Sequence, residues 1–213
     1  MTSTKLRRHP ERALIERHQI EAILDEALVA HVGFIDEGAP VVIPTTFARC
    51  GGTLYLHGAA GGRLAAGLAS SAQICVTVTL LDGLVLARSA FNHSMNYRSV
   101  IIFGAPRLVS DVAEKRFAFD ALVEHVVPGR GADARGASDG ELKATAVIAL
   151  ELDRCSAKRR SGPPIDASAD GELRIWGGVV PCRLDFGAPL GEGNAPGVSL
   201  PAYLQNYVRG ARE

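Results

Sequence analysis

The period of the hydrophobic pattern changes along the chain, and each change marks a new element. Ile20, Ile23, Leu24, Ala27 and Leu28 fall three and four apart, with Glu21, Asp25 and Glu26 between them. That spacing predicts an amphipathic helix with one buried face. Beyond it the period shortens towards two. Val29–Ile35, Val41–Ala48 and Leu54–His57 read as strands, separated by the turns Asp36-Glu37-Gly38 and Cys50-Gly51-Gly52. This is the pattern of an antiparallel meander or barrel. Pro44, inside the second strand, predicts an edge position or a bulge, because proline has no N–H to give to a ladder.

Gly58–Gly62 then leads into a short helix from Arg63 to Leu68. A glycine turn opening a helix aims free N–H groups at one point, where an anion is favoured. Arg63 in the first turn opposes the helix dipole unless an anion binds there. Ile74–Leu81 alternates, Asp82-Gly83 reads as a hairpin turn, and Leu84–Ala90 as the returning strand. The stretch FNHSMNYRSVIIFG, Phe91 to Gly104, follows. Its polar half, with His93, Ser94, Asn96 and Tyr97, reads as a loop. Arg98 and Ser99 stand just before the core strand Val100–Phe103, which continues through Leu108-Val109. A fixed cation and a hydroxyl at a sheet end suit phosphate, whose oxygens match the fork of donors on arginine.

Asp111 with Glu114 predicts the start of a helix reaching Val126. Pro128–Gly140 reads as a surface loop, Lys143–Asp153 as a buried strand, and Lys158-Arg159-Arg160 as a basic turn. Leu173–Val180, with the one tryptophan, Trp176, reads as a last strand, and Ala202–Val208 as a short helix. The sum is roughly seven or eight strands with hairpin-length connections and flanking helices, hence a mainly β, closed or partly closed antiparallel barrel. No GxGxxG follows a first strand and no Walker lysine is present, which disfavours both common nucleotide folds.

Composition narrows the function. Basic and acidic residues balance at 23 each and aromatics make up 6%, so neither a nucleic-acid footprint nor a base-stacking platform is expected. No apolar run approaches the roughly 18 residues of a membrane span, and the N-terminus lacks a signal-peptide core, so a soluble cytoplasmic protein without membrane contact is expected. Cys50, Cys75, Cys155 and Cys182 read as reduced thiols. GxSxG is absent, no three ligands fall at metal spacing, and no carboxylate pair stands out. No metal is expected, and the catalytic residues stay unassigned. Of the six histidines, His57 and His93 are best placed for a site. What remains is an anion site from Arg63, Arg98, Ser99 and the basic turn at Lys158, with Trp176 either stacking on the ligand or filling the core.

LYLHGAAGGRLAAGL, ICVTVTLLDGLVLARSAFNHSMNYRSVIIFG, EHVVPGR, SAKRRSGPP and IWGGVVP occur in that order. On these segments the chain resembles, over residues 12–185, the flavin-nucleotide-binding branch of the pyridoxamine 5′-phosphate oxidase-like superfamily, which includes the nitroimidazole-resistance (Nim) proteins. The resemblance implies a split β-barrel homodimer with FMN at the subunit interface. It implies a flavin-dependent oxidoreductase acting on an unidentified small molecule or, as the alternative, a non-catalytic flavin or other cofactor-binding sensor or regulatory protein. It places Arg63, Arg98 and Ser99 at the flavin phosphate and ribityl chain, with Asn96, Tyr97 and Lys158 beside them. It lays Pro44, Thr45 and Thr46 along the isoalloxazine ring and brings Trp176 and Arg183 near flavin and substrate. His57 matches a histidine common in this branch. The oxidase proper carries Ser-Arg-Lys where this chain has Gly61-Gly62-Arg63, and the Nim relatives often carry histidine at Arg63. Neither vitamin B6 oxidation nor nitroimidazole reduction is therefore expected. Residues 1–11 are expected to be flexible, and residues 186–213 to form a tail packing on the barrel or the partner subunit.

Overall fold

The computed structural model describes residues 4–191 and 197–209. In chain order the elements are β1 (Ala13–Leu14), α1 (Arg17–Glu26), β2 (Val29–Asp36), β3 (Ala39–Cys50), β4 (Thr53–Ala59), α2 (Arg63–Ser70) and β5 (Ile74–Leu86). Then come β6 (Ser94–Gly104), β7 (Arg107–Leu108), α3 (Val112–Val126), α4 (Asp139–Ala144), β8 (Thr145–Glu151), β9 (Cys155–Arg160) and β10 (Gly178–Pro181). Every strand pair is antiparallel, in the order β1-β9-β6-β5-β2-β3-β4-β8-β7, with β10 on β5. This is a split β-barrel with flanking helices.

The split lies within β3. Its first half pairs with β2, from Ala39↔Asp36 to Thr46↔Val29, and its second half, Phe47 to Cys50, with β4. Pro40 and Pro44 therefore lie where β3 has a strand on one side only, the edge position that a residue without an N–H requires. Alternation sets the two faces of the larger sheet. Ala30, Val32 and Phe34 of β2, Val76 and Val78 of β5, and Val100 and Ile102 of β6 point into the main core. The core is closed at one end by Ile20, Ile23 and Leu24 of α1, the apolar face its spacing predicts. α3 lies over the smaller sheet, where Ala118 joins Tyr55, Val109, Val147 and Ala149 in a second cluster. Asp111 caps it by accepting from the Glu114 amide at 2.7 Å.

Several expectations are corrected. Asp82-Gly83 is no hairpin: β5 runs through it with a bulge between Leu81 and Gly83, because β6 and β10 pair on either side. The polar stretch from Ser94 is strand, not loop, its polar groups facing outward or taken up by neighbouring backbone. Lys158–Arg160 is no turn but the end of β9, paired with Ser99, Arg98 and Tyr97. The last strand spans only Gly178–Pro181, so Trp176 stands before it. Lys143 lies in the last turn of a helix, α4, within what reads as loop and strand. Leu108 pairs in β7, but Val109 lies just beyond it. Of the helix expected over Ala202–Val208, the described residues form one turn of 3-10 helix, Ala202–Leu204. That tail packs on α3: Tyr207 donates to the Val126 carbonyl at 3.2 Å.

Candidate functional site

The outward face of the larger sheet carries several of the sequence-predicted residues. Thr46 pairs with Val29, Thr79 with Ser99, and Ser99 with Lys158. The β2–β5 register at His31↔Thr77, carried two residues further, sets Val29 beside Thr79. Thr46, Ser99 and Lys158 thus lie on one row across five strands, about 19 Å long at the usual inter-strand spacing. Pro44, opposite His31, and Tyr97, opposite Leu81, sit one row away on either side. Around them the face is apolar and open, with Val29, Val42, Leu81 and Leu84 all exposed.

Arg98 does not join this row. In a strand, adjacent side chains point to opposite faces, so Ser99 faces out while Arg98 turns inward at the barrel mouth. There its guanidinium meets Glu26 at 2.5 and 2.8 Å and donates to Asp82 Oδ1 at 2.7 Å. These hydrogen bonds, Glu26 first and Asp82 second, raise its pKa further above the ordinary arginine value. Both carboxylates went unnoticed in sequence, since Asp82 reads as a turn residue and Glu26 as the solvated side of a helix.

Arg63 lies at the far end of the sheet, where its Nε donates to Asp36 Oδ2 at 2.7 Å. Measured from the His31–Thr77–Ile101 level, Asp36 is five residues one way and Ser99 two the other. That is about 23 Å of strand. Within one copy of the chain, Arg63 and Ser99 cannot grip the same phosphate.

The remaining candidates scatter. Asn96 is buried; its amide donates to the Gly162 carbonyl at 3.2 Å, while its oxygen accepts from Arg160. It pins the turn after β9. Thr45 donates to the carbonyl of Thr46. His57 lies on the face of β4 that carries Tyr55 and meets α3; its Nδ1 is buried without a partner, and burial lowers its pKa. The Trp176 ring is stacked over Gly178, and Arg183 is exposed. Sequence reading also missed Arg88 and Asp166, joined at 2.7 Å, which tie the segment before β10 to the end of β5. Nothing in their separation along the chain marks them as a pair.

Two clefts lie elsewhere. One of about 330 Å³ is lined by Phe119, Val123, Arg135 and Glu141, the other of about 610 Å³ by Leu6, Ile15, Ile20 and Leu152. Neither is lined by a predicted site residue. Among the described residues no group of three or more His, Cys, Asp or Glu is placed to hold a metal ion, and no helix is long and apolar enough to cross a membrane. All four cysteines are free thiols.

Comparison with known proteins gives a coherent result. Residues 16–159 match the family described as pyridoxamine 5′-phosphate oxidase. Among solved structures, the flavocytochrome Anf3 from Azotobacter vinelandii is 38% identical, with a TM-score of 0.91 and 97% of each chain covered. The FAD and heme binding protein from Mycobacterium smegmatis is 37% identical, with a TM-score of 0.87, covering 93% of this chain and 98% of that one. A putative 5-nitroimidazole antibiotic resistance protein from Bacteroides thetaiotaomicron is 28% identical, with a TM-score of 0.59 over 68% of this chain and 85% of that one. No curated protein matches the chain.

Proposed function

The chain belongs to the pyridoxamine 5′-phosphate oxidase family, and from that premise we propose that it is a homodimeric flavin-dependent redox protein that also carries a haem. The observation that carries the flavin reading is the outward face of the larger sheet. It is open and apolar, it bears Pro44, Thr46, Tyr97, Ser99 and Lys158, and its cationic phosphate candidate, Arg63, lies about 23 Å away along the strands. A second copy laid over this face completes the site: it covers the apolar surface and brings the glycine turn of one subunit to the Ser99–Lys158 row of the other. Exposed apolar side chains gathered on one face are the kind of surface that marks a site of association.

In this reading Pro44 and Thr46 lie along the flavin ring, Tyr97, Ser99 and Lys158 meet the ribityl chain, and Arg63 with the Gly61-Gly62 amides holds phosphate. Trp176 and Arg183 border the ring. Arg98 positions β6 through Glu26 and Asp82 and does not touch the ligand. When bound, the flavin supplies one- and two-electron redox chemistry; the protein orients it and excludes water. The flavin is FMN, as the family resemblance implies, or FAD, as in the mycobacterial relative.

Haem enters because two relatives matching nearly the whole chain are described as a flavocytochrome and as an FAD and heme binding protein. The residues here fit such a group. The buried Nδ1 of His57 has no hydrogen-bond partner among the described residues, and an imidazole nitrogen of this kind could hold haem iron.

The test is the absorbance spectrum of the purified protein, with the masses of the released chromophores and of the native particle. Flavin bands, a Soret band and a dimer mass are expected. A colourless monomer would overturn the reading. Mass tells FMN from FAD. Reduction of the bound flavin by NADH or NADPH is expected of an oxidoreductase; a flavin that neither reduces favours the sensor alternative.

A further inference from the structure

We infer that the last residues the structure describes, Tyr207–Arg209, form an acid-released latch: protonation of His125 drives Arg209 from its seat between the ends of α1 and α3 and loosens the candidate site. The release follows from the geometry of the seat; its effect on the flavin rests on the reading above.

An α-helix leaves its last carbonyls without partners, and they carry the negative end of its dipole. α1 and α3 end close together, and one guanidinium serves both. Arg209 Nε donates to the Glu26 carbonyl at 2.7 Å and Nη2 to the Asp25 carbonyl at 2.8 Å. Nη1 donates to the His125 carbonyl and, at 3.3 Å, to that of Val126. Tyr207 adds its hydroxyl on the Val126 carbonyl, and its ring meets Phe186 edge to face at 4.9 Å. Four of the five N–H groups of Arg209 thus go to helix ends.

The fifth faces another donor. His125 Nε2 lies 2.7 Å from the Ala27 carbonyl oxygen. A carbonyl only accepts, so Nε2 carries the ring proton and Nδ1 the lone pair. Arg209 Nη2 lies 3.1 Å from the same Nε2, so two N–H groups meet there without a bond. A neutral imidazole tolerates this contact. Nδ1 meets no described protein group, and the half-buried ring can draw a proton from solvent. The ring then becomes a cation 3.1 Å from a guanidinium.

The charges around the ring do not offset that repulsion. α1 presents Asp25 and Glu26, β3 presents Arg49, and Glu124 precedes His125 on α3. Asp25 is held by Arg49 through two contacts of 2.7 Å, and Glu26 is held by Arg98. Glu124 accepts from the Gly129 and Gly131 amides. Phe47 closes another side, its ring 4.9 Å from the imidazole. Burial lowers the His125 pKa, and Arg209 lowers it further against the pull of the Ala27 carbonyl. The unlatched ring, freed of the guanidinium, takes up its proton closer to the ordinary value of about 6.5. The open form therefore binds more protons. Latching is complete above about pH 6.5 and weakens about tenfold for each pH unit below it, until the latched form itself protonates.

The seat bears on the candidate site through two short links. The Glu26 carbonyl holds Arg209 while its carboxylate holds Arg98, the neighbour of Ser99. The Ala27 carbonyl holds His125, and two residues on Val29 enters β2 opposite Thr46. Opening the latch frees the end of α1 that sets both, which is a route from pH to flavin retention.

The test is amide hydrogen exchange of residues 203–209 between pH 8 and pH 5, corrected for the intrinsic pH dependence of exchange, with the β6 amides as the check on folding. Wild-type protection of the latch is expected to fall about tenfold or more over that range. His125→Gln, whose amide can donate to Ala27 but cannot become a cation, is expected to hold its protection throughout. Arg209→Ala is expected to be unlatched already at pH 8. Flavin occupancy should follow the latch: falling in acid in the wild type, held in His125→Gln, reduced at every pH in Arg209→Ala. Equal wild-type protection at both ends of the range, or an equal loss in His125→Gln, would overturn the latch. An open latch in Arg209→Ala with full flavin occupancy would overturn its link to the site and leave the flavin reading standing. A wild-type protein that never holds flavin would sink that reading, while the exchange result still decides the latch.

Discussion

Arg98 meets both oxygens of Glu26, Nη1 to Oε2 at 2.5 Å and Nη2 to Oε1 at 2.8 Å, while Nη2 also donates to Asp82 Oδ1 at 2.7 Å. One guanidinium thus joins the end of α1, the bulge of β5 and the strand β6. Removing it leaves two half-buried carboxylates facing each other without a cation. Arg98→Ala is expected to cost about 1–3 kcal/mol, more than an exposed pair, because the geometry is bidentate and partly screened from water. Urea unfolding measures it, and in a Glu26→Gln, Asp82→Asn background the cost should largely vanish. An unchanged midpoint in the single variant would mean that the cluster contributes nothing.

Gly67 lets α2 approach β2. A methyl group there would sit 2.0 Å from Cε2 and 2.5 Å from Cδ2 of the buried Phe34 ring. The gain in helix propensity of Gly67→Ala is smaller than this clash, and the variant is expected to lose about 1–3 kcal/mol. Adding Phe34→Leu, which removes the opposing ring atoms, should recover part of the loss. A more stable Gly67→Ala would show that the ring moves aside freely.

Tyr55 ties β4 to α3. Its hydroxyl donates to Glu114 Oε1 at 3.0 Å, and Arg107 Nη2 meets the same oxygen at 2.6 Å. Burial first, and the hydrogen bond to Glu114 second, push its pKa up to about 12. An unfolded tyrosine ionises near pH 10, so the folded state holds this proton longer. The stabilisation is complete below about pH 10 and is lost as pH rises through about 12. Of the four tyrosines, one should titrate near 12 at 295 nm, and Tyr55→Phe should remove that step.

Val42 reports on the proposed dimer. It lies on the outward face of the half of β3 that has a strand on one side only, and is 62% exposed. Val42→Glu sets a carboxylate where the second copy lies, at little cost to a lone subunit. The native mass should halve, with flavin lost and secondary structure kept. A Val42→Glu protein that remains a flavin-loaded dimer would place the interface elsewhere.

Much of the fold is legible in local pattern. The three-and-four spacing of Ile20, Ile23 and Leu24, the alternation of Ala30, Val32 and Phe34, and the Asp111 cap each depend on residues within one turn or a few strand positions. Pro44 likewise marks the single-sided stretch of β3. Asp82-Gly83 misled because its turn chemistry is as local as those signals, yet the strands on either side hold β5 extended through it. Lys158–Arg160 misled for the same reason: three charges in a row read as solvated turn, while pairing with β6 makes them strand.

The candidate site divides along the same line. Sequence singled out Arg98 and Ser99 together, since they are neighbours and both suit phosphate. The pleat sends them to opposite faces, and Asp82 and Glu26, 16 and 72 residues away in the chain, claim the arginine. By itself the sequence determined the family, most of the strands, and which of their residues alternate in and out, because period and turn chemistry act over a few residues. Only the tertiary structure decided which cation is neutralised, which hydroxyls and lysine share a row, and that Arg63 lies about 23 Å along the strands from them. Those outcomes depend on strand register and strand order, and registers between distant segments are set when the whole core packs.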